Sequence, residues 1–100
     1  MTNPYLAQHL PDVLPGDPMH WAKAWLDEAT RKGVQRNPNS MTLVTVDDKG
    51  QPSARVVLCK DFVPDPGFLV FYTNYESRKV RELVGNPRVG VTFHWDALGR

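Results

Sequence analysis

The sequence predicts a mainly β domain with flanking helices (α+β), built on an antiparallel sheet that closes toward a barrel. Three observations lead there. Four runs of β-forming residues are separated by turn signals. Two helix-like segments flank them, one before the first strand and one before the last. The chain is 100 residues long with 41% hydrophobic and 23% charged residues, which suits one soluble core and excludes a disordered chain.

Residues 1–17 carry Pro4, Pro11, Pro15 and Gly16 among scattered apolar residues and read as an extended N-terminal arm. Residues 18–100 form the domain. Asp17 and Pro18 make a helix start, with Asp17 as cap and Pro18 in the first helical position. Trp21, Ala22, Trp25, Leu26 and Ala29 then fall on one helical face, and Gly33 closes a helix over 18–32. The first strand is Met41-Thr42-Leu43-Val44-Thr45-Val46. Asp47-Asp48-Lys49-Gly50 turns the chain into a second strand, Ala54-Arg55-Val56-Val57-Leu58-Cys59, making a hairpin. Residues 61–67, with Pro64 and Pro66, are expected as a loop, and Phe68-Leu69-Val70-Phe71-Tyr72-Thr73 as the third strand. A short helix over 77–84 stops at Gly85-Asn86-Pro87. Val89-Gly90-Val91-Thr92-Phe93-His94-Trp95 is the fourth strand. The sequence ends at Asp96-Ala97-Leu98-Gly99-Arg100, just after it. An open apolar edge there calls for pairing with another chain or with a continuation of the same protein.

Composition narrows the function. A net charge of +1 argues against nucleic-acid or anionic-membrane binding through bulk charge. A single cysteine, Cys59, rules out an intrachain disulfide and a cysteine metal cluster. The first residues lack the cationic-then-apolar pattern of a secretory signal, and no run approaches the roughly 18 apolar residues of a membrane span. The expectation is a reduced, cytoplasmic protein.

The segment richest in chemistry is Thr73-Asn74-Tyr75-Glu76-Ser77-Arg78-Lys79. With Ser77 as cap, Arg78 and Lys79 fall in the first turn of a helix, where free N–H groups and a partial positive charge already stand. Cations there cost a few tenths to about 1 kcal/mol each. A bound anion would reverse that balance, because the N–H groups, the Ser77 hydroxyl, the guanidinium and the ammonium would converge on a phosphate. The alternative is a solvated basic face on which Arg78 pairs with Glu82 one turn later. In the second strand, Arg55 and Lys60 bracket Val56, Val57, Leu58 and Cys59 across about 17 Å, at roughly 3.3 Å per residue. Such a strand could lie along a long ligand, or be an ordinary strand with charged ends. Arg55 and Lys60 fall on opposite faces, so meeting one ligand needs a bend near Lys60.

Tyr72 and Thr73 could pack on a planar ring or bind phosphate, or be a core aromatic and a strand-end threonine. Trp21 and Trp25 read as core, and Cys59 as a small inert hydrophobe. His94 has no sequence neighbour that would make it a metal ligand or a catalytic base. Phe68, Phe71 and Tyr72 near basic residues resemble a nucleic-acid surface only weakly, given the Asp and Glu around them. There is no glycine-rich phosphate loop, nucleophile elbow or zinc-protease motif. A protein of this kind takes its chemistry from a cofactor or is not an enzyme.

From about Pro18 to Arg100 the chain resembles the pyridoxamine/pyridoxine 5′-phosphate oxidase family. The resemblance rests on ordered segments: Asn37-Pro38-Asn39-Ser40-Met41 with Thr45-Val46-Asp47, and Gly50-Gln51-Pro52-Ser53-Ala54 running into Arg55-Val56-Val57-Leu58-Cys59-Lys60. It continues through Phe71-Tyr72-Thr73-Asn74-Tyr75-Glu76-Ser77-Arg78-Lys79 and Asn86-Pro87 to Phe93-His94-Trp95 and Leu98-Gly99-Arg100. It implies a split β-barrel homodimer with FMN at the subunit interface. The positions of Arg55, Val56, Val57, Leu58, Cys59 and Lys60 would line the flavin, with Lys60 also meeting the substrate phosphate. Tyr72, Thr73, Ser77, Arg78 and Lys79 would hold the flavin, the basic pair on its phosphate. The implied reaction oxidises pyridoxamine or pyridoxine 5′-phosphate to the aldehyde, with O₂ as acceptor and H₂O₂ as by-product. The alternative is a non-catalytic FMN-binding split-barrel module.

The chain departs from the family pattern at Cys59, where an apolar residue is usual, at Val80, where glycine is usual, and in a slightly longer loop over 61–66. The family continues beyond Leu98-Gly99-Arg100 into further flavin and substrate residues. The resemblance therefore implies that the 100 residues correspond to roughly the first half of the family's fold.

Overall fold

A computed structural model describes residues 12, 13, 16–73 and 77–100. Most of the predicted arm, and Asn74, Tyr75 and Glu76 of the basic segment, lie outside the described residues. Helix α1 spans Met19–Lys32. Pro18 occupies the cap position itself, and Asp17 Oδ1 accepts a hydrogen bond from the Met19 amide at 2.9 Å. The cap expected at Asp17 thus falls on Pro18, which was expected as the first helical residue, and the helix begins at Met19. At the other end Gly33 adopts φ 59°, a conformation glycine reaches without a Cβ clash, and its N–H bonds the Ala29 carbonyl at 3.1 Å.

Strands β1 (Ser40–Val46) and β2 (Pro52–Leu58) form the predicted hairpin, in register from Ser40↔Leu58 to Val46↔Pro52. Asp47 ties its turn, Oδ1 accepting from the amides of Lys49 (2.9 Å) and Gln51 (2.8 Å). These two bonds, that from Gln51 foremost, hold the Asp47 carboxyl below the usual aspartate range.

Residues 61–67, expected as a loop, instead begin with a strand. β3 (Asp61–Val63) pairs antiparallel with β4 (Phe68–Val70), and Pro64 and Pro66 are confined to the turn between them, where no ladder N–H is needed. The expected third strand stops at Val70 rather than Thr73, because three-residue β3 offers no partners beyond it. Helix α2 runs Arg78–Gly85 behind Ser77, whose Oγ accepts from the Val80 amide at 3.4 Å.

The last strand is also shorter than expected. β5 covers Val89–Thr92 and pairs with β1. Trp95 has left the strand: its N–H bonds the Arg100 carbonyl (2.7 Å), and the Arg100 N–H returns to the Trp95 carbonyl (3.1 Å). This closes a loop around a 3₁₀ turn at Asp96–Leu98.

The single four-stranded sheet of the sequence reading is therefore two antiparallel sheets, one ordered β2-β1-β5 and one β3-β4. The chain passes between them at Cys59 and Lys60, whose amides bond Asn39 O (2.8 Å) and Val70 O (2.7 Å) respectively.

Alternation decides which side chains face inward. On β1 these are Met41, Leu43 and Thr45; on β2 they are Val57, Arg55 and Ser53, directly opposite in the same order. The inward face thus grades from apolar to polar along the hairpin. Its apolar end joins Leu26 and Ala29 of α1, Cys59, Phe62 and Trp95 in the core. Trp95 Nε1 donates to the Pro38 carbonyl at 2.8 Å, and its ring stacks on Phe93 at 5.2 Å. Trp21 and Trp25 lie edge to face at 6.4 Å on α1, with Trp25 packed against the core. Among the described residues, no helix is long and apolar enough to cross a membrane.

Candidate functional site

The polar end of the inward face holds a cluster that the sequence does not announce. Thr45 is wholly buried, and a buried hydroxyl needs a partner. α2 packs on β1 here and brings Glu82 over it. Glu82 is buried, and its Oε2 accepts a short hydrogen bond from Thr45 Oγ1. Oε1 accepts from Ser53 Oγ (3.1 Å) and from Arg78 Nε (2.8 Å). Arg55 Nη2 lies 3.7 Å from Oε2, while Arg55 Nη1 donates to Thr45 Oγ1 (2.8 Å) and the Leu43 carbonyl (3.1 Å). The Thr45 hydrogen bond first, then those from Arg78 and Ser53, hold the Glu82 carboxyl below the usual glutamate range against the opposing effect of burial.

Glu82 thus ties β1, β2 and α2 together. The pairing of Arg78 with Glu82, one of two readings of the basic segment, is present. It does not exhaust Arg78, whose side chain is 64% exposed: the bond uses Nε, and Nη1 and Nη2 have no hydrogen-bond partner among the described residues. Ser77 caps the helix beside it, with Thr73 Oγ1 3.4 Å from Ser77 Oγ. Lys79, half-buried, follows in the same turn. The first-turn N–H groups, the Arg78 guanidinium and the Lys79 ammonium therefore belong to one helical turn, donor types that suit an anion, while the guanidinium itself reaches one turn on to Glu82. The adjacent cleft of about 400 Å³ does not fill this role. Its lining of Asp47, Asp48 and Glu82 against Arg78 and Arg81 has mixed charge, and it includes neither Ser77 nor Lys79.

The other predicted residues are spread over the outer face of β2, the core and a further cleft. Val56 and Leu58 point away from the core, with Val56 68% exposed on the outer face of β2. Tyr72 is also exposed, and Val57 packs inward against the core. Cys59 is buried with its thiol on the Asp61 carbonyl (3.2 Å), and burial pushes that thiol's pKa up. Lys60 lies in a separate cleft of about 310 Å³ between α1 and the β2–β3 junction, beside Lys23, Asp27, Asn39 and Asp61. His94 Nε2 is 3.7 Å from Asp96 Oδ1, with both side chains in solvent. Within one chain the eleven candidates do not share a pocket.

Sequence reasoning passed over Thr45 and Ser53 and gave Glu82 only a surface pairing. A signal was present: three polar residues, Thr45, Ser53 and Arg55, fall on inward positions of adjacent strands, which requires a compensating charge from elsewhere in the fold.

Comparison with known proteins shows the family of the chain. Residues 26–100 match the family described as Pyridoxamine 5'-phosphate oxidase. A pyridoxine/pyridoxamine 5′-phosphate oxidase of Cupriavidus necator is 54% identical over 89 residues, covering 89% of this chain and 40% of that protein. One from Bombyx mori is 43% identical over 96 residues, covering 96% of this chain and 35% of that protein. The chain thus spans about two-fifths of the length of the curated relatives it matches. Among solved structures, PhzG from Burkholderia lata 383, crystallised with tetrahydrophenazine-1-carboxylic acid, superposes with a TM-score of 0.71 at 29% identity. That match covers 87% of this chain and 45% of PhzG, so the two sheets correspond to part of a split barrel. A match over three-quarters of the chain, joined by relatives at about half identity and a shared fold, shows that this chain belongs to the pyridoxamine 5′-phosphate oxidase family.

Proposed function

We propose that the protein takes part in FMN-dependent oxidation of pyridoxamine or pyridoxine 5′-phosphate to pyridoxal 5′-phosphate with O₂ as acceptor. In this reading the described chain supplies the flavin-phosphate end of the site. The observation that supports it is the start of α2, where the N–H groups behind the Ser77 cap, the terminal nitrogens of Arg78 and the Lys79 ammonium offer donors to an anion. That set fits the phosphate of FMN, the group the family resemblance implies. Bound FMN would accept a hydride from the substrate's C4′ and pass the electrons to O₂, giving H₂O₂. The residues of this chain would bind and orient: Arg78 and Lys79 the phosphate, Tyr72 and Thr73 the flavin beside it, and the Arg55-to-Lys60 strand its length. Lys60, in its own cleft at the far end of that strand, would meet the substrate phosphate. The roles assigned to this chain are orientation and charge.

Assembly into a homodimer with FMN between the subunits follows from the same reading. The candidates are split between an inward cluster and the exposed outer face of β2, so one flavin reaches both more readily across two chains. The test is a flavin titration of the intact protein, followed by pyridoxamine 5′-phosphate under air with detection of H₂O₂. Replacing Arg78 and Lys79 together with alanine should weaken FMN binding at least about ten-fold, since charge-assisted hydrogen bonds contribute about 1.5–3 kcal/mol each. Unchanged affinity would sink the phosphate assignment. Bound flavin without H₂O₂ would instead favour a non-catalytic flavin-binding module.

A further inference from the structure

We infer that Glu82 is the positioning residue of this anion site, holding Arg78 so that its two terminal nitrogens face outward to a phosphate. This rests on the reading of α2 as the flavin-phosphate end. A carboxylate beside an anion site is at first sight adverse, because it repels the ligand it adjoins. The contacts supply a compensation. Glu82 is itself fixed: its two oxygens take hydrogen bonds from Thr45 on β1 and Ser53 on β2, and Arg55 lies 3.7 Å away. Arg55 is in turn locked to the Leu43 carbonyl and Thr45. The sheet therefore dictates where the carboxylate sits, and the carboxylate dictates where Arg78 sits, through Nε alone. A side-on bond through Nε orients the planar guanidinium and leaves its end edge, Nη1 and Nη2, for a bidentate partner. A long side chain that is 64% exposed otherwise samples many rotamers, and ordering it in advance lowers the entropy cost of binding.

Two roles for Glu82 predict opposite results. If it serves only as a counter-charge, Glu82→Gln raises the local positive charge and tightens FMN binding. If it positions Arg78, the glutamine presents an amide donor to a ring of donors, Arg78 is released, and binding weakens. In the intact protein, with FMN affinity read from quenching of flavin fluorescence, Glu82→Gln is expected to raise Kd about ten-fold, on the scale of one lost charge-assisted contact. Because it acts through Arg78, adding Glu82→Gln to Arg78→Ala should change Kd by less than about two-fold, the mark of coupled residues in a double-mutant cycle. Unchanged or tighter binding in Glu82→Gln, or a full ten-fold further loss on top of Arg78→Ala, overturns the positioning role even where Arg78→Ala/Lys79→Ala weakens FMN. If that double replacement leaves Kd unchanged, the phosphate reading falls and this inference with it. Should the glutamine variant fail to fold, the wild-type protein decides by NMR. The Arg78 Nε–H signal is expected to be dispersed and slow to exchange before FMN is added, and to keep its shift afterwards. A signal typical of a solvated arginine in the free protein overturns the inference.

Discussion

Replacing Arg100 with alanine should destabilise the intact protein by about 2–4 kcal/mol, and the estimate can be worked from its contacts. The Arg100 side chain is only 3% exposed, and its Nη1 donates to Glu28 Oε2 at 2.6 Å. Its guanidinium also lies 4.6 Å from the centroid of the Trp25 ring. Removing one partner of a buried pair costs about 3–5 kcal/mol, chiefly because the other charge stays buried and uncompensated. Glu28 keeps Lys32 at 2.9 Å, which lowers the figure, and the lost cation–π contact adds about 0.5–2 kcal/mol back. Urea unfolding followed by tryptophan fluorescence measures the difference. A second variant tests the cause. Glu28→Gln in the Arg100→Ala background should restore part of the loss, because it neutralises the stranded carboxylate. A loss under about 1 kcal/mol would mean that the pair behaves like a solvent-screened surface bridge. A double variant less stable than Arg100→Ala alone would also refute the reasoning.

Acid should find the same groups. Glu28, through the hydrogen bonds from Arg100 and then Lys32, and Glu82, through Thr45 and then Arg78 and Ser53, have folded pKa values below the ordinary glutamate value. The unfolded chain therefore binds more protons near pH 4, so their contribution is fully present above about pH 4.3 and is lost as pH falls through the folded values. Melting temperature should drop along that window, and Glu28→Gln should flatten the drop; a slope identical to wild type in that variant would remove Glu28 from the account. Lys60→Ala should raise KM for pyridoxamine 5′-phosphate more than it raises the FMN Kd, because Lys60 sits in a cleft apart from the start of α2. Steady-state kinetics beside a flavin titration measure both, and the reverse ranking would mean that the two ends of the strand have been misassigned.

The same variants separate the two ends of the proposed site. Arg78 and Lys79 stand on a helix start braced by the sheet through Glu82, whereas Lys60 stands at the crossing from one sheet to the other. Between them runs β2, whose outer face presents Ala54, Val56 and Leu58 to solvent. On the proposed reading, changes at Val56 should alter flavin affinity rather than folding, since the side chain makes no part of the core.

Local chemistry made much of the fold legible in the order of residues. Gly33 stops α1, Ser77 caps α2, the alternation of Met41, Leu43 and Thr45 makes β1, and Asp47 turns the hairpin; each needs only neighbours within a few positions. The family to which the chain's ordered segments belong was legible in the same way. What stayed hidden depends on residues far apart in the chain. β3 exists because β4 lies opposite it, and β5 ends early because Trp95 turns back to bond Arg100 and Pro38. Glu28 is buried on α1 because Arg100, 72 residues away, comes to meet it. Glu82 looks like one half of a surface pair, and only packing of α2 on β1 sets it over Thr45 and Ser53, 37 and 29 residues earlier. Capping, turns and alternation are settled by short-range sterics and hydrogen bonding. The partner of a buried charge is settled by which elements the hydrophobic core draws together, and that no short window of sequence contains.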